Sequence, residues 1–422
     1  VSYALMTDRY ELTMLEAAMQ SGKADRQCVF EVFTRSLPNG RRYGVVAGTG
    51  RVLEAIENFR FTESELSFLE DEGIVGPKTL QFLADYAFQG RISGYAEGEL
   101  YFPGSPIMTV EGSFAEAVIL ETVILSILNH DSAIASAGAR MRYAAGSRKL
   151  VEMGARRAHE QAAVAASRAA YIVGFESTSN LEAGRRYGVP TMGTSAHAFT
   201  LLHDSEREAF EAQIASHGKN TTLLVDTYNI SQAVDLAVEL TDGELAAVRI
   251  DSGDLAQTAV SVRKQLDELG ARNTEIVVTS DLDEYTIAAL ASAPVDRYGV
   301  GTSLVTGSGY PTAGFVYKLV AHQSKSGWIN VAKKSSGKAS IGGKKSASRL
   351  LENSQAVAER IGSPDEGRAL QQLLWDTAAD SKLLGSTGVN LAREHHKMAL
   401  SELGASGLRL SKGEPAIPTE YV

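Results

Sequence analysis

Along the first 120 residues, apolar runs at 29–34 (VFEVFT), 43–50 (YGVVAGTG) and 101–112 (YFPGSPIMTVEG) predict strands, and charged stretches such as ESELSFLEDEG predict amphipathic helices. This mixture predicts an α+β domain over residues 1–120. From 114 to 152 the period turns helical and the chain becomes rich in Ala, Ile and Leu, notably in AEAVILETVILSILNHDSAIASAGARM, which predicts a buried helical pair leading into a second domain. A different rhythm begins at 153. Apolar runs at 171–178, 189–193, 222–226, 246–250, 275–279 and 295–300, with one more near 152–158, end in polar residues or Gly, and helix-length segments follow them. Repeated βα units have this signature.

Parallel βα units close into a barrel or open into a doubly wound sheet, and the period alone does not choose. The polar residues do. TSNLEAG, GTSAHAF, DTYN, DSGD, TSDLDE and GVGTS each fall where a strand would end, so several strands deliver reactive groups to one face, as in a barrel. The expected architecture is an irregular α/β barrel over residues 121–312, followed by a C-terminal segment, 313–422. In that segment FVYKLVA predicts a strand, WINVAKKSSGKASIGGKKSASR a flexible basic loop and NLAREHHKMALSELGA a terminal helix.

A chain of 422 residues exceeds what one hydrophobic core serves, which agrees with several domains. The formal charge of -10 argues against a nucleic-acid partner and leaves small anionic substrates held by local cations. A single cysteine, Cys28, forms no intramolecular disulfide and fits a reducing compartment. No run approaches the roughly 18 apolar residues of a membrane span, and the acids in VSYALMTDRYELTML are unlike a signal peptide. A cytoplasmic protein without a membrane partner is expected.

VRIDSGDL (248–255) places Arg249, Asp251, Ser252 and Asp254 around Gly253 directly after an apolar run. So many ionic groups at a strand end are costly to bury unpartnered and point to a ligand site; the two acids suit a magnesium ion held through water or the hydroxyls of a ribose. YGVGTSLVTGSG (298–309) follows the last predicted strand, with Gly299 and Gly301 open to an anion and Thr302 and Ser303 adding hydroxyl donors. His197, beside Gly193, Thr194 and Ser195, stands where a nucleophile accepting a phosphoryl group would stand. Arg156, Arg157 and Asp226 also fall at predicted strand ends. Neither a dinucleotide fingerprint nor a P-loop is present. The eight histidines show no HxH or HxxxH spacing, and no lysine lies at a barrel strand end, which argues against a metal hydrolase and a Schiff-base lyase.

Taken in order, TDRYELTM, FESTSNLEAG, GTSAHAF, VRIDSGDL, YGVGTS and KKSSGK with GGKK make the chain resemble the nicotinate phosphoribosyltransferase family along most of its length. The resemblance implies a type II phosphoribosyltransferase fold, an irregular TIM-like α/β barrel with an α/β sandwich domain that the C-terminal segment completes, and a homodimer with shared active sites. It implies transfer of phosphoribose from phosphoribosyl pyrophosphate to nicotinate in NAD salvage, with Mg2+ and with ATP hydrolysis coupled through a phosphohistidine. Carried over residue by residue, His197 is similar to the phosphorylated histidine and Tyr10 to an aromatic that stacks on the pyridine ring across the dimer. Arg249 would flank the other ring face, and Arg156 would meet substrate phosphate or carboxylate. Asp226, Asp251 and Asp281 would lie near ribose and magnesium, and Gly299, Gly301 and Thr302 would cradle the 5′-phosphate. Where the related nicotinamide enzymes present an aspartate, this chain has Ser179 and Asn180, whose uncharged groups suit a carboxylate. The alternatives are nicotinamide or quinolinate phosphoribosyltransferase activity, or a non-catalytic barrel that binds a phosphorylated metabolite.

Overall fold

A computed structural model describes residues 2–334, 340–378 and 388–422. The chain divides into two compact units, one of residues 1–136 with 310–422 and one of residues 137–309. The division falls within the long helix Glu121–Ala145.

In the first unit a six-stranded antiparallel sheet has the spatial order Gly327–Asn330, Phe315–Ser324, Gln27–Thr34, Met108–Ser113, Arg91–Tyr95 and Gln371–Asp376. The C-terminal segment thus supplies both edges of a sheet whose centre is N-terminal. It also builds all of a four-stranded sheet, in the order Arg368–Ala369, Ser346–Glu352, Gln355–Gly362 and Thr419–Tyr421. The core of this unit gathers Leu12, Val32, Ile92, Val110, Ile124 and Tyr317. Burial of each such side chain contributes about 1.5–3 kcal/mol. Helix Glu63–Asp71 starts at a capping box formed by Thr62 and Glu65, and Ser113 with Glu116 repeats the device at Phe114–Val118.

Part of the basic loop is pinned. Lys344 pairs with Glu111 at 2.8 Å, and buried Lys345 pairs with buried Glu31 at 3.1 Å, where burial pushes the Glu31 carboxyl up to about 7 despite the lysine. Residues 335–338 of the KKSSGK motif lie outside the described residues. The stretch Phe114–Ala145 is long and apolar enough to cross a membrane by length and composition, an exception to the expectation that no segment is. Its most apolar window is 67% buried inside the protein, as for a core helix.

The second unit is built on six parallel strands in the order Ser177–Thr178, Lys149–Glu152, Arg297–Val300, Glu275–Val278, Ala247–Ile250 and Thr222–Leu224. Among the described residues no ladder joins the two outer strands, so the hydrogen bonding describes an open parallel sheet. Of the seven predicted runs, 189–193 contributes only an isolated bridge, Thr178 to Thr191, because Pro190 has no N–H to give a ladder. The apolar residues at 171–172 finish the helix Glu160–Ile172, leaving a two-residue strand at Ser177–Thr178.

Candidate active site

Because the six strands run parallel, their C-terminal ends bring Glu152, Thr178, Asp226, Asp251, Thr279 and Gly301 to one edge of the sheet. Asp226 follows Thr222–Leu224 with its side chain 1% exposed. Its Oδ2 accepts from the Asp251 N–H at 2.9 Å and from the Ser252 hydroxyl at 2.6 Å. Among the described residues its Oδ1 has no hydrogen-bond partner, and it lies 3.9 Å from His197 Nε2. A buried carboxylate oxygen left open in this way is costly unless a cation or donor meets it. The other ring nitrogen of His197, Nδ1, sits 3.1 Å from the Thr227 hydroxyl, so the imidazole is held between two consecutive residues of one loop.

Arg249 is the penultimate residue of the strand Ala247–Ile250 and its side chain is 12% exposed. It reaches Thr279 Oγ1 through Nε at 3.0 Å, Thr194 Oγ1 through Nη1 at 3.0 Å and Asp251 Oδ1 through Nη2 at 3.3 Å. The Thr279 hydroxyl donates to Asp251 Oδ1, closing a ring of Arg249, Thr279 and Asp251. Residues from two adjacent strand ends, joined by Thr194, therefore hold one another in place. A cavity of about 990 Å³ opens instead among the N-terminal ends of the strands, where Thr222, Ala247, Glu275 and Arg297 begin them, and it meets the residues of this site only at Thr194 and its neighbours.

The cluster DSGD divides its labour. Asp251 faces the ring just described, whereas Asp254 Oδ1 accepts from the Gln257 N–H at 3.1 Å and caps the helix Leu255–Glu268. Asn180 does the same for Leu181–Tyr187 through Ala183 N–H at 3.0 Å, which commits its carbonyl oxygen and leaves its amide donors. Ser179 beside it is exposed. Arg156 sits exposed in the turn Ala155–Arg157, and its guanidinium meets no ion-pair partner among the described residues. Asp281 is exposed at a strand end, makes no side-chain bond among the described residues and, with Ser280, has positive φ (44° and 100°). Two consecutive left-handed residues without Gly mark a strained turn at the site.

The glycines were expected to open the backbone to an anion. Gly299 instead lies inside the strand Arg297–Val300, where a Cβ would come within 2.5 Å of Thr279 Cγ2 and 2.7 Å of Met153 Sδ, so packing requires its bare backbone. Gly301 precedes the one-turn helix Thr302–Val305, which Thr302 and Ser303 open. The loop ends at Ser308, whose hydroxyl donates to Glu284 at 2.7 Å, and Glu284 is itself held by Arg140 at 3.1 Å.

This arrangement can now be set beside known proteins. The family model described as "Nicotinate phosphoribosyltransferase (NAPRTase) family" matches residues 148–362, and the model of the NAPRTase N-terminal domain matches residues 5–129. The chain belongs to the nicotinate phosphoribosyltransferase family. It is 53% identical over 432 residues to nicotinate phosphoribosyltransferase pncB1 of Mycobacterium tuberculosis, covering 99% of this chain and 95% of that one. With the nicotinate phosphoribosyltransferase of Bacillus subtilis it shares 38% identity over 369 residues, covering 85% and 75%. The fold is similar to the crystal structure of human nicotinic acid phosphoribosyltransferase, with a TM-score of 0.83 and 25% identity over 98% of this chain and 97% of that one.

Family membership directs attention to Tyr10. It lies in the first unit, at the start of helix Arg9–Gln20, and is 45% exposed. Partial burial and the carboxylates of Glu121, Glu11 and Asp8 push its phenol above the usual tyrosine range, so it remains a protonated ring. The fit to magnesium is narrower. No group of three or more His, Cys, Asp or Glu side chains suited to a metal occurs among the described residues. The open Asp226 Oδ1, with Asp251 beside it, matches an ion bound mainly by water and substrate oxygens, as Mg2+ prefers.

Sequence reasoning had not assigned roles to Thr194, Thr227 or Thr279, nor to Glu152. Thr194, Thr227 and Thr279 each lie within a motif already marked as a strand end, but a threonine carries no charge to single it out. Glu152 looks like the final residue of an ordinary strand.

Proposed function

We propose that this chain joins nicotinate to the anomeric carbon of phosphoribosyl pyrophosphate, forming nicotinate mononucleotide and pyrophosphate, and that ATP hydrolysis drives the transfer through a phosphohistidine at His197. Family membership supports the transferase reading. The observation that carries the site assignment is the buried Asp226, which anchors the Asp251 loop with one oxygen and turns the other toward His197. In this reading His197 takes the γ-phosphoryl group of ATP on a ring nitrogen, ADP leaves, and water later releases phosphate. Departure of pyrophosphate leaves positive character on the ribose carbon, which Asp251 stabilises while Arg249 and Thr279 hold it in place. The pyridine nitrogen has a free lone pair at neutral pH, so no general base is required. Asp226 and Asp251 would hold Mg2+ largely through water, and the ion would neutralise phosphate charge when bound.

The base is nicotinate rather than nicotinamide. Asn180 has spent its acceptor on a helix cap and keeps its amide donors, and Ser179 adds a hydroxyl, so the pair favours a carboxylate. Arg156, unpaired among the described residues, would meet substrate phosphate or carboxylate. Gly301, Thr302 and Ser303 would line the 5′-phosphate, with Gly299 as packing beneath them and Asp281 facing the ribose. We read the parallel sheet as most of an irregular TIM-like barrel whose outer strand continues through the Thr178–Thr191 bridge. The working form is a homodimer in the cytoplasm, with Tyr10 stacking on the pyridine of its partner's site.

The test is pyrophosphate release from phosphoribosyl pyrophosphate with magnesium, comparing nicotinate, nicotinamide and quinolinate, each with and without ATP. Release with nicotinate, raised by ATP, is expected; His197→Ala should abolish the ATP effect and leave slow transfer. Silence with all three bases would favour a barrel that binds a phosphometabolite without turning it over.

A further inference from the structure

Glu152 ends the strand Lys149–Glu152 and is fully buried, yet among the described residues it has no ion-pair partner. A carboxylate in that position is costly to desolvate and persists where several donors surround it. Its Oε1 accepts from the Gly154 N–H, and its Oε2 from the Thr178 hydroxyl and from the Ser167 hydroxyl, the last at 2.8 Å. Its backbone C=O accepts from the Ser179 N–H at 2.9 Å. Thr178 Oγ1 in turn accepts from the Asn180 N–H at 2.9 Å.

The donors lead in three directions. Gly154 begins the turn that carries Arg156, and a Cβ on it would lie 2.9 Å from the Gly301 carbonyl, so this turn packs against the loop that opens the Thr302–Val305 helix. Thr178 and Asn180 bracket Ser179. Ser167 belongs to the helix Glu160–Ile172, whose Ala163 carbonyl shares the single Ser167 hydroxyl proton with the carboxylate and gives it a rigid backing. One buried anion thereby fixes the turn bearing the candidate phosphate-binding cation and the loop bearing the candidate base-selecting pair. A packing role alone would be served as well by an apolar side chain.

We propose that Glu152 is a positioning residue of the transfer reaction, which sets Arg156 and the Ser179–Asn180 pair in register with each other without touching substrate. This rests on the phosphoribosyl transfer reading. In Glu152→Gln an amide replaces the carboxylate and one of its two polar atoms becomes a donor: at the Oε1 place it faces the Gly154 N–H, donor against donor, and at the Oε2 place the Thr178 and Ser167 hydroxyls lose the acceptor of their protons. Both loops then loosen.

The experiment is initial-rate kinetics of pyrophosphate release on the full chain, varying nicotinate and phosphoribosyl pyrophosphate separately. Glu152→Gln is expected to raise KM for both substrates about tenfold, below the roughly hundredfold of a 1 Å misplacement, while kcat changes less. Thr178→Val, which detaches only the 178–180 loop, is expected to raise KM for nicotinate alone. Thr178→Ser should restore it. Loss of folded protein by itself would lower kcat per total enzyme and leave KM where it was. Folded Glu152→Gln with both KM values within about twofold of wild type would overturn the proposal. If that variant does not fold, an unchanged nicotinate KM in Thr178→Val overturns it instead. Wild-type protein silent with nicotinate would remove the transfer reading itself, a result distinct from either variant outcome.

Discussion

Thr279→Val isolates the ring that joins Arg249 to Asp251. Valine keeps the shape of the side chain and the methyl that packs beside Gly299, so the substitution removes only the hydroxyl. That hydroxyl accepts from Arg249 Nε at 3.0 Å and donates to Asp251 Oδ1, and Thr279 is 4% exposed. Hydrogen bonds to charged groups contribute about 1.5–3 kcal/mol each when dry. Asp251 retains Arg249 Nη2 at 3.3 Å and its side chain is 28% exposed, so water and the remaining bond offset much of its loss. Arg249 Nε is less accessible, which leaves a net cost of about 2 kcal/mol to the folded state. If the freed arginine and aspartate lose the same interaction in the transition state, kcat/KM falls about 10- to 30-fold. Thermal unfolding measures the first quantity and pyrophosphate release under subsaturating nicotinate the second, with Thr279→Ser expected to recover most of both. A folded valine variant with kcat/KM within about twofold of wild type would refute the view that this ring organises the site.

Gly299→Ala should cost about 1–3 kcal/mol in denaturant unfolding, because its Cβ would press on Thr279 Cγ2 and Met153 Sδ; an unchanged midpoint would mean the two strands separate easily. His396 is buried, its Nδ1 is 2.9 Å from the Gly98 carbonyl, and burial lowers its pKa to about 4. A base with a depressed folded pKa contributes stability that is full above about 6.5 and is lost as pH falls toward 4, so lowering pH from 7 to 5 should cost wild type about 2 kcal/mol more than His396→Asn. Equal pH slopes in the two proteins would remove this histidine from the acid sensitivity. Mixing Tyr10→Ala with Asp251→Ala subunits should restore activity if sites are shared across a dimer; verified heterodimers without activity would assign each site to one chain.

The positions of strands and helices were largely legible in the chain because burial imposes its period directly on sequence. Runs at 222–226, 246–250, 275–279 and 295–300 became strands within a residue or two of their limits. Misreadings came where local chemistry competed with that period. Pro190 denied a ladder to 189–193, and the apolar residues at 171–172 satisfied a helix as readily as a strand.

The site was legible as a set of strand-end motifs, since charged residues beside apolar runs are conspicuous. Their division of labour was not. Asp251 and Asp254 stand three positions apart in one motif, yet one joins Arg249 and Thr279 while the other caps a helix. Asn180 is likewise a cap, and Gly299 is a packing glycine rather than an opening. Sequence alone settled the order of the elements, the family resemblance and which residue types gather at strand ends, because these depend on neighbours along the chain. The fold decided which groups meet, joining Asp226 to His197 and Glu152 to Thr178 across 29 and 26 positions respectively, because hydrogen bonds answer to distance in space.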